Sequence, residues 1–179
     1  MDREEQLIQL CHGDLQHFAT IYDWFFADVY RYAYSLTQDK HSAEEATAET
    51  FFKALQAFPK YQFQGKSIKH WLFVILRNQV YKSSSKAQQQ IPLEVESHDQ
   101  TTEDQGILEQ MITEVDQQQV QFALANLQPY EQEIIKLRFW EELSFEEIAE
   151  LTQNNLSQVK MCFYRSLEKL RKALKQFEV

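Results

Sequence analysis

The sequence predicts an all-α protein: two small helical domains joined by a flexible acidic linker, the second domain a helix-turn-helix. Three observations predict it. Glycine and proline each occur only three times in 179 residues, too few for the closely spaced turns of a β fold. Apolar residues recur mostly at three- and four-residue spacings, the period of an amphipathic helix. Charge is sorted in blocks. Residues 50–86 carry seven Lys or Arg and no acid, and residues 87–119 carry eight acids and no base. Residues 151–179 carry six bases and two acids, so the net charge of −9 hides two cationic patches. Such patches can hold a polyanion on an acidic protein, because phosphate contacts respond to the local field.

The first domain is read as residues 1–86. Leu7, Leu10, Phe18, Ile21, Tyr22, Phe25, Val29, Ala33 and Leu36 supply inward stripes. Gly13-Asp14 breaks the pattern, and Asp14 can cap the next helix. Ser42 with Glu45 forms a capping-box pattern, so a helix is expected from about Ala43. Ala46, Thr50, Phe51, Phe52 and Leu55 continue it, and Pro59 ends it. Residues 59–67 read as a loop in which Gly65 can adopt positive φ. A further helix is expected over Ile68–Tyr81, with Trp71, Leu72, Ile75, Leu76 and Val80 inward. Residues 83–106 then turn polar and acidic, and 87–106 read as the tether.

The second domain is read as residues 107–179. Pro129 suits the first turn of a helix, where a missing N–H costs nothing. Ser144 and Glu147 form a second capping box, and the polar break 152–155 comes after it. Asn155 can cap the last helix, with Gln158 at its third position. Val159, Phe163, Leu167, Leu170 and Leu174 point inward on that helix. Lys160, Arg165, Lys169 and Lys172 are left to solvent. Two short helices with a tight break, the second one basic, make a helix-turn-helix pattern.

Composition also argues against other classes. The five histidines (12, 17, 41, 70, 98) fall in no metal-binding spacing, and the stretch 41–45 lacks the second His of a zinc-protease helix. No glycine-rich phosphate loop is present, so no enzyme, cofactor or metal is expected. Cys11 and Cys162 read as two buried thiols of a reducing compartment. The charged N-terminus carries no apolar signal core, and no apolar run approaches the ~18 residues of a membrane span. The expected location is the cytoplasm, with no membrane insertion.

Three segments together resemble a known family. The acidic helix SAEEATAETFFKAL (42–55) is similar to the clamp-gripping helix of bacterial RNA polymerase sigma factors of the extracytoplasmic-function type (group 4). IKHWLFVILRNQVYK (68–82) is similar to the helix that reads their minus-10 element. Residues 123–174 are similar to the helix-turn-helix that reads the minus-35 element. The resemblance covers nearly the whole chain, and it makes 1–86 a region 2-like domain and 107–179 a region 4-like domain.

The resemblance implies a dissociable initiation subunit that binds core RNA polymerase and promoter DNA and is controlled by an anti-sigma factor. Glu45, Glu49, Phe52 and Glu131 are the expected polymerase contacts; Glu45 and Glu49 share one helix face. At the minus-10 element the expected DNA contacts are Lys60, Tyr61, Phe63 and Lys66 of the loop, where a flipped base would be captured, and Arg77, Asn78, Tyr81 and Lys82 at the exposed end of the next helix. The two loop aromatics can instead cover the core. At the minus-35 element the expected contacts are Ser157, Gln158, Lys160, Met161 and Arg165, with Gln158 suited to adenine. The sequence departs from the family at Ala48, at Ser83, Ser84 and Ser85, at Gln153 and Asn154, and at Cys162. Two other readings stay open on sequence: a sigma-like decoy that binds an anti-sigma factor without touching promoters, and a stand-alone helix-turn-helix regulator.

Overall fold

The computed structural model describes residues 3–63, 65–83 and 117–174. The expected tether 87–106 lies outside them. Among the described residues there are α-helices and short 3-10 turns and no strand. The chain divides into two compact units, Met1–Gln88 and Gln89–Val179.

In the first unit, α1 (Arg3–Gly13) is followed by a 3-10 turn, α2 (Phe18–Thr37), α3 (Lys40–Ala57), a second 3-10 turn (Phe58–Lys60) and α4 (Ile68–Ser83). The Asp14 carboxylate accepts the Gln16 N–H at 2.9 Å and starts the first 3-10 turn. Helices α2, α3 and α4 pack on one another. Phe18, Ile21, Phe25, Val29, Tyr32 and Ala33 face the core from α2, and Ala43, Ala46, Phe51 and Ala54 from α3. Helix α4 contributes Ile68, Leu72, Phe73 and Leu76. Two threonines sit in that apolar layer with their hydroxyls satisfied. Thr47 donates to the Ala43 carbonyl and Thr50 to that of Ala46, both at 2.7 Å.

The structure corrects several details of the sequence reading. Leu10 and Tyr22 are 53% and 41% exposed, not inward. Each lies one position off the stripe that is buried: Leu7, Ile8 and Cys11 on α1, and Ile21, Phe25 and Val29 on α2. Leu55 is also exposed. Phe73, not read as inward, is fully buried against Tyr32, with ring centroids 4.6 Å apart. Helix α3 begins at Lys40 rather than near Ala43, because Asp39 is its cap. The Asp39 carboxylate accepts both the Ser42 N–H and the Ser42 hydroxyl at 2.8 Å. These hydrogen bonds hold its pKa below the usual carboxylate value. A carboxylate at a helix N-terminus bonds the exposed amides more strongly than a hydroxyl does.

The second unit contains α5 (Gln117–Ala125), α6 (Pro129–Phe139), α7 (Phe145–Thr152) and α8 (Leu156–Leu174). Helix α8 packs against the other three. Pro129 occupies the first turn of α6. The Ser144 Oγ accepts the Glu147 N–H at 3.1 Å, and Glu147 accepts the Ser144 N–H at 2.8 Å. The same reciprocal box starts α8: Asn155 accepts the Gln158 N–H at 2.8 Å, and Gln158 accepts the Asn155 N–H at 3.2 Å.

Between α7 and α8 the chain turns at Gln153, which is left-handed at φ 57° and donates its N–H to the Glu150 carbonyl at 3.2 Å. A side chain with a Cβ is strained there by about 1–2 kcal/mol. Glycine would relieve this but would also gain freedom in the unfolded chain. Gln153→Gly is therefore expected to stabilise the second unit by about 0.5–1 kcal/mol, seen as a higher urea midpoint at unchanged slope.

Candidate nucleic-acid interface

On α3, the acids that precede the basic block line an open face. Glu45 and Glu49 are exposed, as the sequence reading requires. Glu49 is paired with Lys53 at 2.6 Å, both side chains about half exposed. Phe52 stands beside them at 60% exposure, although its neighbour Phe51 is buried. Helix α2 adds Tyr22 and Phe26 at 41% and 39%, their rings 5.1 Å apart. Carboxylates next to uncovered aromatics suit a protein partner with basic and apolar side chains.

The loop after α3 carries the aromatics expected to meet a base. Tyr61 is half-buried. Its ring lies 4.5 Å from Trp71 and 5.6 Å from Phe58. Burial, with Glu4 nearby, raises its phenol pKa. Tyr61 thus covers the core with one face, the simpler of the two sequence readings, and with Trp71 forms an aromatic shelf at the rim. Phe63 and Lys66 are half-buried, and Lys60 is exposed. Gly65 takes φ 76°.

At the far end of α4, Asn78 and Lys82 are exposed and Tyr81 is half-buried. Arg77 is not at the exposed surface as expected: only 2% of it is accessible, and its guanidinium lies 4.4 Å from the centre of the Tyr81 ring. That ring face offers a buried cation a favourable contact. The position places Arg77 beneath Tyr81, supporting it. Ser83 is the first of the three serines at which the sequence departs from the family, and its side chain and residues 84–86 lie outside the described residues.

In the second unit, Ser157 and Lys160 are exposed on the first turns of α8, and Gln158, Met161 and Arg165 are half-buried. The Lys160 ammonium lies 5.8 Å from the Phe145 ring centre, and the Arg138 guanidinium 4.9 Å from it. Phe145 thereby braces two cations, one of them on the first turns of α8. The Gln158 side-chain carbonyl is engaged in the α8 cap. Pairing both ends of the amide with adenine would compete with that bond.

Glu131 is corrected more sharply. Expected as a surface contact, it is 4% exposed. One carboxylate oxygen accepts the Gln128 N–H at 2.9 Å, and the other pairs with Lys169 at 2.5 Å. It ties the start of α6 to α8, which explains its burial. Glu133, on the same helix, is 6% exposed. Lys136 is half-buried, and burial lowers its pKa. The large apolar group that this stretch does present is Trp140, at 39%.

Cys162 belongs to the core of α8, and burial pushes its thiol up to about 12. Cys11 is likewise a buried thiol. Among the described residues, no cluster of His, Cys, Asp or Glu could hold a metal ion, and no helix is long and apolar enough to cross a membrane. Sequence reasoning missed two residues beside the loop. Trp71 was read as core, but with Tyr61 it reaches the rim. Glu4 was read only as part of a charged N-terminus, yet it bonds to the start of α4. Its partners lie 63 and 64 residues away, so no local pattern signals the contact.

Comparison with known proteins places both units. Residues 22–90 match the signature of Sigma-70 region 2, and residues 123–172 that of Sigma-70, region 4. The ECF RNA polymerase sigma factor BldN of Streptomyces coelicolor is 31% identical over 168 residues, covering 90% of this chain and 62% of BldN. The chain thus spans somewhat under two thirds of that relative. The RNA polymerase sigma factor YlaC of Bacillus subtilis is 29% identical over 156 residues, covering 85% of this chain and 88% of YlaC. Among solved structures, the sigma factor RpoE of Bartonella quintana, crystallised with the anti-sigma factor NepR, has a similar fold. It aligns with a TM-score of 0.61 at 21% identity, over 88% of this chain and 96% of that one. With both signatures present in order over most of its length, the chain belongs to the sigma-70 family, and it is similar to members of the extracytoplasmic-function type.

Proposed function

We propose that this chain is a cytoplasmic, non-enzymatic initiation subunit that joins core RNA polymerase and directs it to promoters carrying two separated elements. The observation that carries this reading is the placement of unlike surfaces on the two units. An acidic face with open aromatics lies on α2 and α3, a basic, aromatic rim lies at the loop and α4, and the exposed Lys160 stands on the first turns of α8. Glu45, Glu49 and Phe52 would meet the polymerase. Lys60, Lys66, Asn78 and Lys82 would hold the minus-10 strand, with Tyr61, Phe63 and Tyr81 offering ring faces to bases. Ser157, Lys160, Met161 and Arg165 would enter the minus-35 groove. Residues 1–86 and 107–179 would act as separate modules, each raising the effective concentration of the other once one has bound.

Control by an anti-sigma factor belongs to the same proposal. The face of α2 and α3 with Tyr22, Phe26 and Phe52 would be covered in the inactive complex. Run-off transcription with core polymerase tests the reading, on templates taken from start sites mapped after overexpression. Promoter-specific transcripts that depend on the added protein are expected. A folded protein that joins polymerase but gives no such transcript would instead be a decoy. Tight, salt-resistant operator binding by the protein alone would make it a stand-alone regulator, because DNA contacts this sparse bind weakly and release with salt.

A further inference from the structure

The start of α4 is fixed from a distant part of the chain. Ser67 precedes the helix, and its hydroxyl oxygen accepts the Lys69 N–H at 3.1 Å. The Ser67 hydroxyl donates to Glu4 Oε1 at 2.9 Å, and the Ile68 N–H donates to Glu4 Oε2 at 2.9 Å. A single carboxylate on α1 therefore orients the capping serine and satisfies the first amide of α4. Residues 50–86 contain no acid of their own, so this negative charge has to come from outside the block.

Glu4 is held in place by its own helix. Leu7, Ile8 and Cys11 bury α1 in the first unit. The neighbouring Arg3 guanidinium lies 4.6 Å from the Trp24 ring centre and pins α1 to α2. The residues fixed in this way border the site. Ser67 closes the loop that carries Lys60, Tyr61, Phe63 and Lys66, and Trp71, the partner of Tyr61 in the aromatic shelf, lies one turn into α4. The Trp71 N–H also donates to the Ser67 carbonyl at 3.4 Å.

We propose that Glu4 is a positioning residue for minus-10 recognition: through Ser67 and the Ile68 amide it fixes the base-capturing loop and the adjoining Tyr61–Trp71 shelf before DNA arrives. The proposal rests on the reading of this rim as the minus-10 site. It gives α1 a part in promoter opening although it contributes no DNA contact itself. Its value lies in preorganisation, since a loop already in its bound shape loses less freedom when a base enters.

The test uses the full chain with core polymerase and a template carrying a mapped promoter. Glu4→Ala, Glu4→Gln, Ser67→Ala and the Glu4→Ala/Ser67→Ala double variant are compared by permanganate reactivity of minus-10 thymines. Glu4→Ala is expected to reduce promoter melting about tenfold, the usual scale for loss of a helix cap. Holoenzyme formation should remain at the wild-type level. Glu4→Gln, which keeps an acceptor oxygen, should fall between wild type and Glu4→Ala. The double variant should be no worse than about the poorer single one, because both remove the same link.

Hydrogen exchange of the Ile68 and Lys69 amides reads the link without DNA and should speed up about tenfold in Glu4→Ala. Wild-type melting by Glu4→Ala in a normally formed holoenzyme would overturn the proposal. So would additive losses in the double variant, or unchanged exchange at Ile68. If the wild-type protein forms no holoenzyme at all, the functional reading fails, and the exchange result alone then decides whether Glu4 fixes the loop.

Discussion

Phe163→Ala is expected to destabilise the second unit by about 3–5 kcal/mol, the range for truncating a buried phenylalanine. Phe163 is fully buried on α8, the helix that packs on the other three of this unit. Its ring lies 5.1 Å from that of Phe145, edge-on, and 5.6 Å from that of Phe139, stacked. Phe145 in turn carries Arg138 and Lys160 against its faces. A cavity at Phe163 would therefore loosen α8 and the first turns that carry Lys160. Small domains hold only about 5–15 kcal/mol in total, so a loss of this size would leave the unit close to unfolding.

Tryptophan fluorescence can resolve the two units. Trp140 lies in the second, and Trp24 and Trp71 lie in the first. With Trp24 and Trp71 replaced by Phe, the urea transition reported by Trp140 should shift strongly to lower concentration. Phe122→Ala, at a residue 59% exposed, should shift it by less than about 0.5 kcal/mol. Equal effects at the two positions would mean that Phe163 does not carry the core as described.

Reversing both charges on α3, Glu45→Lys with Glu49→Lys, is expected to weaken polymerase association about a hundredfold or more. Like charges facing each other across an interface cost several kcal/mol, and each 1.4 kcal/mol is a factor of ten. The fold should survive. Within the protein the double change breaks the Glu49–Lys53 pair, whose side chains are both about half exposed, and exposed pairs of this kind contribute less than about 1 kcal/mol. The helix N-terminus keeps its Asp39 cap. Binding of the variant to core polymerase, measured by competition at low and moderate salt, checks the prediction beside an unfolding curve. Unchanged affinity in a normally folded variant would remove both glutamates from the interface.

The predictions draw on different kinds of legibility. The helices of the second unit could be read from the chain because each of their signals is local. The boxes at Ser144–Glu147 and Asn155–Gln158 satisfy amides within one turn. The stripe Val159, Phe163, Leu167, Leu170 and Leu174 repeats at helical period and is buried throughout. Pro129 marks a helix start by lacking a donor. The cap of α3 was misplaced because Ser42 and Glu45 mimic a box, while the Asp39 carboxylate, three residues earlier, binds Ser42 itself.

Burial of charged residues was not legible. Arg77, Glu131 and Glu133 look like surface groups, and sequence rules assign them to solvent. For Glu131, burial depends on a partner supplied by packing, the α8 lysine that meets it; the Tyr81 ring beneath which Arg77 lies is only one turn away on α4, so the burial of Arg77 depends on which face of that helix meets the core. Phe51 and Phe52 differ only by one position, yet one is buried and the other is 60% exposed. Helical period tells neighbours apart, but which of the two faces the core depends on where α2 and α4 lie.

By itself, the sequence determined the helical class, the two clusters of positive charge and the helix-turn-helix, because periodicity, capping and charge act over a few residues. Only the tertiary structure decided which ionic groups stay on the surface and that Glu4 anchors the start of α4. Such contacts join residues far apart in the chain, and the free energy of burying a charge depends on neighbours that exist only after folding.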